Sequence, residues 1–113
     1  MLKSQITTTD ARSAGDPSEW LRNPDAGEIL RLEFMELLGL DAEALALALD
    51  VPRDQIETVI AGDRPMDAEL DLRLARYFRM SEGFFLGLQT DYELLEAKRA
   101  LNGALDRITP RAA

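Results

Sequence analysis

Arg53, Gln55 and Thr58 occupy one short stretch and have the side-chain types that recognise nucleic acid. A guanidinium can donate two parallel hydrogen bonds to guanine O6 and N7. An amide or a hydroxyl can reach a base edge or a phosphate. Asp54 and Glu57 share the stretch; a carboxylate can accept from cytosine N4, yet it repels phosphate. With Glu43 upstream and Arg64 downstream, these seven residues form the candidate recognition set. The ordinary alternative is a solvated helix surface, in which Arg53 pairs with Glu57 four residues on. Under the recognition reading, Asp54 and Glu57 limit affinity or select against wrong sites, at a cost on the order of a kcal/mol each at low salt.

These side chains need a frame, and the stretch Asp41–Arg64, DAEALALALDVPRDQIETVIAGDR, supplies one. It reads as helix, tight turn and second helix, the arrangement that places a helix in the DNA major groove. Asp41 is the expected N-cap of the first of these helices, which runs through Leu49. Its ALALAL run alternates as a strand would, but Ala and Leu favour helix and Leu45 with Leu49 form an i,i+4 pair. Asp50-Val51 makes the turn, Pro52 takes the first helical position, and Gly62 closes the second helix. The same stretch holds six acids and two bases, so its charge opposes what its shape suggests.

Composition narrows the chemistry further. The 113 residues suit one domain with a real core, and 46% hydrophobic content marks a globular chain. Cysteine and histidine are both absent. Thiolate and imidazole zinc sites, disulfides and Ser–His–Asp or Cys–His catalysis are therefore excluded. The acids Asp67, Glu69 and Asp71 read as a cap and a solvated helix face, and their spacing suggests no metal site. No catalytic residue, metal or cofactor is expected. The net charge of −8 favours solubility or a basic protein partner reached by electrostatic steering. No apolar run approaches a membrane span and MLKSQITTTD lacks the features of a signal peptide, so a cytoplasmic protein is expected.

Three further helices surround the motif. The first runs from about Gly27 to Leu38, with Ile29, Leu30, Phe34, Leu37 and Leu38 on its apolar face and Gly39 at its end. The fourth, capped by Asp67, extends to Tyr77 or Phe78 and buries Leu70, Leu74, Ala75 and Phe78. The fifth, capped by Ser81, carries Phe84, Phe85, Leu88, Tyr92 and Leu95 and can reach Leu101 before Asn102-Gly103. Leu105 and Ile108 add a last turn before Pro110. In the motif, Ile56, Val59 and Ile60 face inward, while Leu47, Leu32 and Met35 are either ordinary surface positions or a partner-binding strip. Residues 1–22 form a loosely held arm that Trp20 and Leu21 pin to the body, 23–102 the helix-turn-helix domain, and 103–113 a tail.

Three segments, NPDAGEILRLEFMELLGL (23–40), DVPRDQIETVIAGDRPMDAELDLRLARYF (50–78) and SEGFFLGLQTDYEL (81–94), resemble the HigA/VapI-type antitoxins of the lambda-repressor-like (Cro/repressor, XRE) helix-turn-helix family. The resemblance spans about Asn23 to Leu95. It implies an all-α, five-helix lambda-repressor-like domain with an N-terminal arm, acting as a dimeric repressor of its own operon that also neutralises a basic ribonuclease toxin. Its implied partners are operator DNA, a second copy of the chain and a basic toxin. Where the family usually offers Gln or Thr to a phosphate, this chain has Ala42 and Glu43; Leu47, Ala61 and Asp63 also stand at usually polar or basic positions. An acidic protein-binding module with little or no DNA binding is the competing expectation.

Overall fold

The first and third helices approach so closely that only glycine fits between them. A Cβ placed on buried Gly27 would lie 1.9 Å from the Val59 carbonyl oxygen, far inside van der Waals contact. The computed structural model describes residues 22–112. Within them the order is α1 (Ala26–Ile29, Leu30–Met35 and Glu36–Leu38), α2 (Ala42–Leu49), α3 (Arg53–Ile60), α4 (Ala68–Phe78), α5 (Phe84–Leu101) and a 3₁₀ turn, Ala104–Arg107. The described residues contain five helices and no strand, as the sequence predicts. The arm residues Trp20 and Leu21 lie outside the described residues.

Capping explains where most helices start. Asp25, Asp41 and Asp67 each sit in extended backbone, and each carboxylate accepts the N–H three residues on, at 2.8–2.9 Å. Each satisfies one of the donors a helix start leaves orphaned and places negative charge at the positive end of the dipole. Pro52 is the N-cap of α3 rather than its first residue, with ψ 142° in the extended region. The sequence places it one position late because both positions tolerate a missing N–H. Asp50 takes the left-handed conformation, φ 58°, that ends α2 and turns the chain into α3.

The middle of α1 departs from the expected geometry. Leu30–Met35 is a π-helical segment, and the Glu36 N–H donates to the Arg31 carbonyl five residues back. The wider turn puts Leu30 and Met35 together in the core. Every later residue is displaced by one position, about 100° round the axis. Leu37 and Leu38 consequently face out, at 74% and 61% exposure, instead of lining the core. Met35 is buried, which removes it from any surface strip; Leu47 is 77% exposed and Leu32 half-buried.

One apolar core joins all five helices: Ala26, Leu30, Met35, Leu45, Leu49, Ile56, Val59, Met66, Leu70, Leu74 and Phe85 are buried in it. Each fully buried large side chain contributes about 1.5–3 kcal/mol. Phe34 is the hub of a ring cluster, with centroids 5.1 Å from Phe78 and 5.0 Å from Phe85. Phe84, expected inward, lies at the cluster's edge and is partly exposed, as is Leu95.

The start of α5 is held from another helix, contrary to expectation. Ser81 does not cap it; Gly83, at φ 93°, is the N-cap and has no side chain to offer. The acceptor is Asp71 on α4, which is 2% exposed and not on a solvated face. Its carboxylate accepts from the N–H groups of Gly83 at 2.6 Å, Phe85 at 2.7 Å and Leu86 at 2.9 Å. Removing it would leave the buried Phe85 N–H unsatisfied, at about 1–3 kcal/mol, and two half-buried donors with it at lower cost. Elsewhere the Asn23 amide donates to the Tyr92 carbonyl and the Glu96 carboxylate, tying the segment before α1 to α5.

Two expected outcomes test this account in thermal denaturation. Gly27→Ala should lower stability by about 1–3 kcal/mol or more through overpacking, whereas Gly87→Ala, in open space on α5, should raise it by about 0.5–1 kcal/mol. Asp71→Ala should cost about 2–4 kcal/mol, and Asp71→Asn less, because its amide oxygen can still accept from Phe85 and Leu86.

Candidate nucleic-acid interface

The recognition helix is short, eight residues, and its two faces have opposite tasks. Ile56 and Val59 are buried against α1 and the rest of the core. Arg53, Asp54 and Glu57 occupy the opposite side and are exposed. Gln55 and Thr58 lie at the flanks, half-buried. The face that would meet a duplex is therefore open, and one buried stripe holds the helix in place.

Arg53 is held on both sides. Its Nε donates to Glu57 Oε2 at 2.9 Å, within α3, and its Nη1 donates to Glu43 Oε1 at 3.4 Å, across from α2. Its Nη2 has no partner among the described residues. The hydrogen bond to Glu57, then the charges of Glu57, Glu43 and Asp41, raise the guanidinium pKa above its ordinary value, so Arg53 is a fixed cation. The Glu57 pairing follows from i,i+4 spacing, but the Glu43 contact depends on how α2 crosses α3 and has no sequence signature.

The other candidates differ in what they can still offer. The Asp54 carboxylate has no hydrogen bond or ion pair among the described residues and stands bare on the exposed face. The Thr58 hydroxyl donates to the Asp54 carbonyl at 2.9 Å and approaches the Gln55 carbonyl at 3.2 Å. With its single proton engaged, it is not free to donate to a phosphate, though its oxygen can accept from a base amino group. Arg64 is exposed in the loop after α3; its N–H donates to the Thr58 carbonyl, and its side chain has no partner among the described residues. The structure thus brings Arg53, Glu43 and Glu57 together, with Asp54 beside them, and sets Arg64 apart as a single free cation on the loop.

Sequence reasoning missed Arg73. Its Nη1 donates to the Leu49 carbonyl at 2.8 Å and to the Asp50 carbonyl at 3.3 Å, while Glu69 Oε2 accepts from its Nε and Nη2. A cation at the negative end of α2 satisfies carbonyls the helix leaves unpaired and fixes the turn into α3. Glu69–Arg73 spacing signals a surface pair, yet nothing in the sequence points the arginine at that turn. Two open concavities of about 560 and 500 Å³ also share Arg73, Arg76 and Arg79, at the far end of α4 rather than at α3.

The comparisons with known proteins decide the family. No family model matches the chain. Virulence-associated protein I of Dichelobacter nodosus is 41% identical over 73 residues, which cover 65% of this chain and 68% of that protein. Antitoxin HigA-1 of Vibrio cholerae is 30% identical over 68% of this chain and 72% of its own length. Among solved structures, Pseudomonas aeruginosa antitoxin HigA with the higBA promoter matches at TM-score 0.73 and 34% identity, over 80% of this chain and all of that one. The chain belongs to the HigA/VapI family of helix-turn-helix antitoxins and transcriptional regulators. An all-α HigA-type domain is thereby the observed fold, and α2–α3 is its helix-turn-helix. The relatives are named as antitoxins and helix-turn-helix transcriptional regulators. No helix among the described residues is long and apolar enough to cross a membrane.

Arg73→Met should therefore cost about 1–2 kcal/mol in chemical denaturation, a charged hydrogen bond discounted for partial exposure. Hydrogen exchange should rise first at the N–H groups of the α2–α3 turn.

Proposed function

We propose that this HigA-type chain binds operator DNA as a homodimer, with α3 in the major groove, and represses its own operon while neutralising a basic ribonuclease toxin in the cytoplasm. The observation that carries the reading is the open face of α3: Arg53 reaches 58% side-chain exposure at its first turn and nothing described covers it. The Pseudomonas aeruginosa HigA structure with its promoter supports the same use of the motif. Two copies would present two α3 helices to half-sites about 34 Å apart. Exposed apolar side chains towards the C-terminus, Leu94, Leu101, Leu105 and Ile108, suit pairing of α5 with its twin. The charge of −8 suits a basic toxin. No catalytic step belongs to this activity. The solved promoter complex favours this reading over the protein-only module.

A fluorescence-polarisation titration of the full chain against the duplex upstream of its own gene, at rising salt, tests the proposal. Selective binding that weakens linearly in log–log form with salt is expected; equal binding to a scrambled duplex at low salt would end it. Asp54→Asn, which removes one repulsion of about a kcal/mol at each half-site, should tighten every duplex by about ten- to thirtyfold at low salt, an effect that fades as salt screens the removed charge.

A further inference from the structure

The acids on the reading face do not share one role. Asp54 is unpartnered among the described residues and repels phosphate. Glu57 is joined to Arg53, the arginine on the first turn of α3. We propose that Glu57 is a positioning residue that sets Arg53 to read guanine, so that the operator half-site carries a guanine opposite the first turn of α3. The inference rests on the DNA-binding reading above.

The geometry carries it. A guanidinium has five N–H donors in a rigid plane, and guanine O6 and N7 need two parallel ones. Glu57 accepts from Nε, the donor nearest the backbone, at 2.9 Å. That bond fixes the plane and leaves the outer edge, Nη1 and Nη2, directed away from the helix. Nη2 is without a partner among the described residues, and the one competitor for Nη1 is Glu43 at 3.4 Å, a long contact that yields readily. Glu43 comes from α2 and braces the guanidinium only until a base takes Nη1, so the bond to Glu57 is the brace that persists. An exposed ion pair of this kind adds little stability. Its value lies in removing rotamers: a free arginine must be ordered as it binds, and a braced one is already aimed. The two parallel donors of the braced outer edge match the O6 and N7 acceptors of guanine, a pair that adenine, cytosine and thymine do not present in the major groove.

The test uses the full chain and its upstream duplex, with each half-site guanine replaced in turn by 7-deazaguanine, which lacks the N7 acceptor. Wild type should lose roughly five- to hundredfold in affinity at one guanine, the range of a bidentate base contact. Glu57→Gln should bind all duplexes more tightly and keep part of that penalty, because its amide oxygen can still accept from Nε. Glu57→Asp is the sharper probe: it keeps the charge but shortens the reach to Nε. It should lose the penalty without gaining affinity. Circular dichroism checks that both exposed-site variants fold. If Glu57→Asp keeps the full penalty, Glu57 is an electrostatic brake only and the proposal is overturned. If wild type selects its operator with no penalty at any guanine, the proposal also fails while the DNA reading stands. If wild type selects no duplex, the DNA reading itself fails and this inference falls with it.

Discussion

Contact between the backbones of α1 and α3 at Gly27 is the constraint on which the reading head depends. With eight residues, α3 has two turns in which to bury one face and leave the other bare. Ile56 and Val59 alone are fully buried on it, so the helix cannot be fixed by many side chains. Letting α1 ride directly on the Val59 carbonyl replaces side-chain packing with backbone contact, which has no rotamers to adjust. Two polar ties finish the placement. Arg73 holds the turn before α3, and the Gln89 amide oxygen accepts from the Met66 N–H, fixing the loop beyond it to α5. The head is bound at both ends and along its back, and its front is left for function.

Electrostatics on that front favours selectivity over strength. A DNA-binding surface gains most of its sequence-independent affinity from Lys and Arg against phosphate. Here the motif has two bases against six acids, and one of the two bases, Arg53, is already engaged by carboxylates. On the proposed reading the sequence-independent part of binding by this motif is therefore weak, and a base-directed contact from Arg53 carries the rest. Such a surface loses little discrimination to non-specific DNA, because it has little to offer it.

The fold was legible wherever its cause is local. Asp41 and Asp67 cap where the spacing says they should, and Gly39 and Gly62 take the left-handed turns expected of them. Much of what escaped was non-local, although the π-helical turn inside α1 and the position of Pro52 are local misses. Asp71 reads as one more surface acid because its acceptors' partners lie 12 to 15 residues away, at the start of another helix. Leu37 and Leu38 fit an α-helical face, and only the π-helical turn before them sends them outward. The site divides the same way. Arg53 and its i,i+4 partner could be named from spacing, whereas Glu43's contact and Arg73's hold on the turn exist only because helices cross.

Dimerisation changes the arithmetic of so acidic a face. In a homodimer on two half-sites, each contribution is counted twice: the repulsion at Asp54 and the base contact at Arg53 alike. Two repulsions of about a kcal/mol lower affinity for all DNA by a similar factor, and salt can relieve them. Two bidentate contacts of about 1–3 kcal/mol multiply into discrimination between the right and the wrong duplex. Doubling thus widens the gap between operator and bulk DNA while holding absolute affinity down. On that proposal the acids of α3 set the balance between operator and bulk DNA instead of opposing the shape of the scaffold.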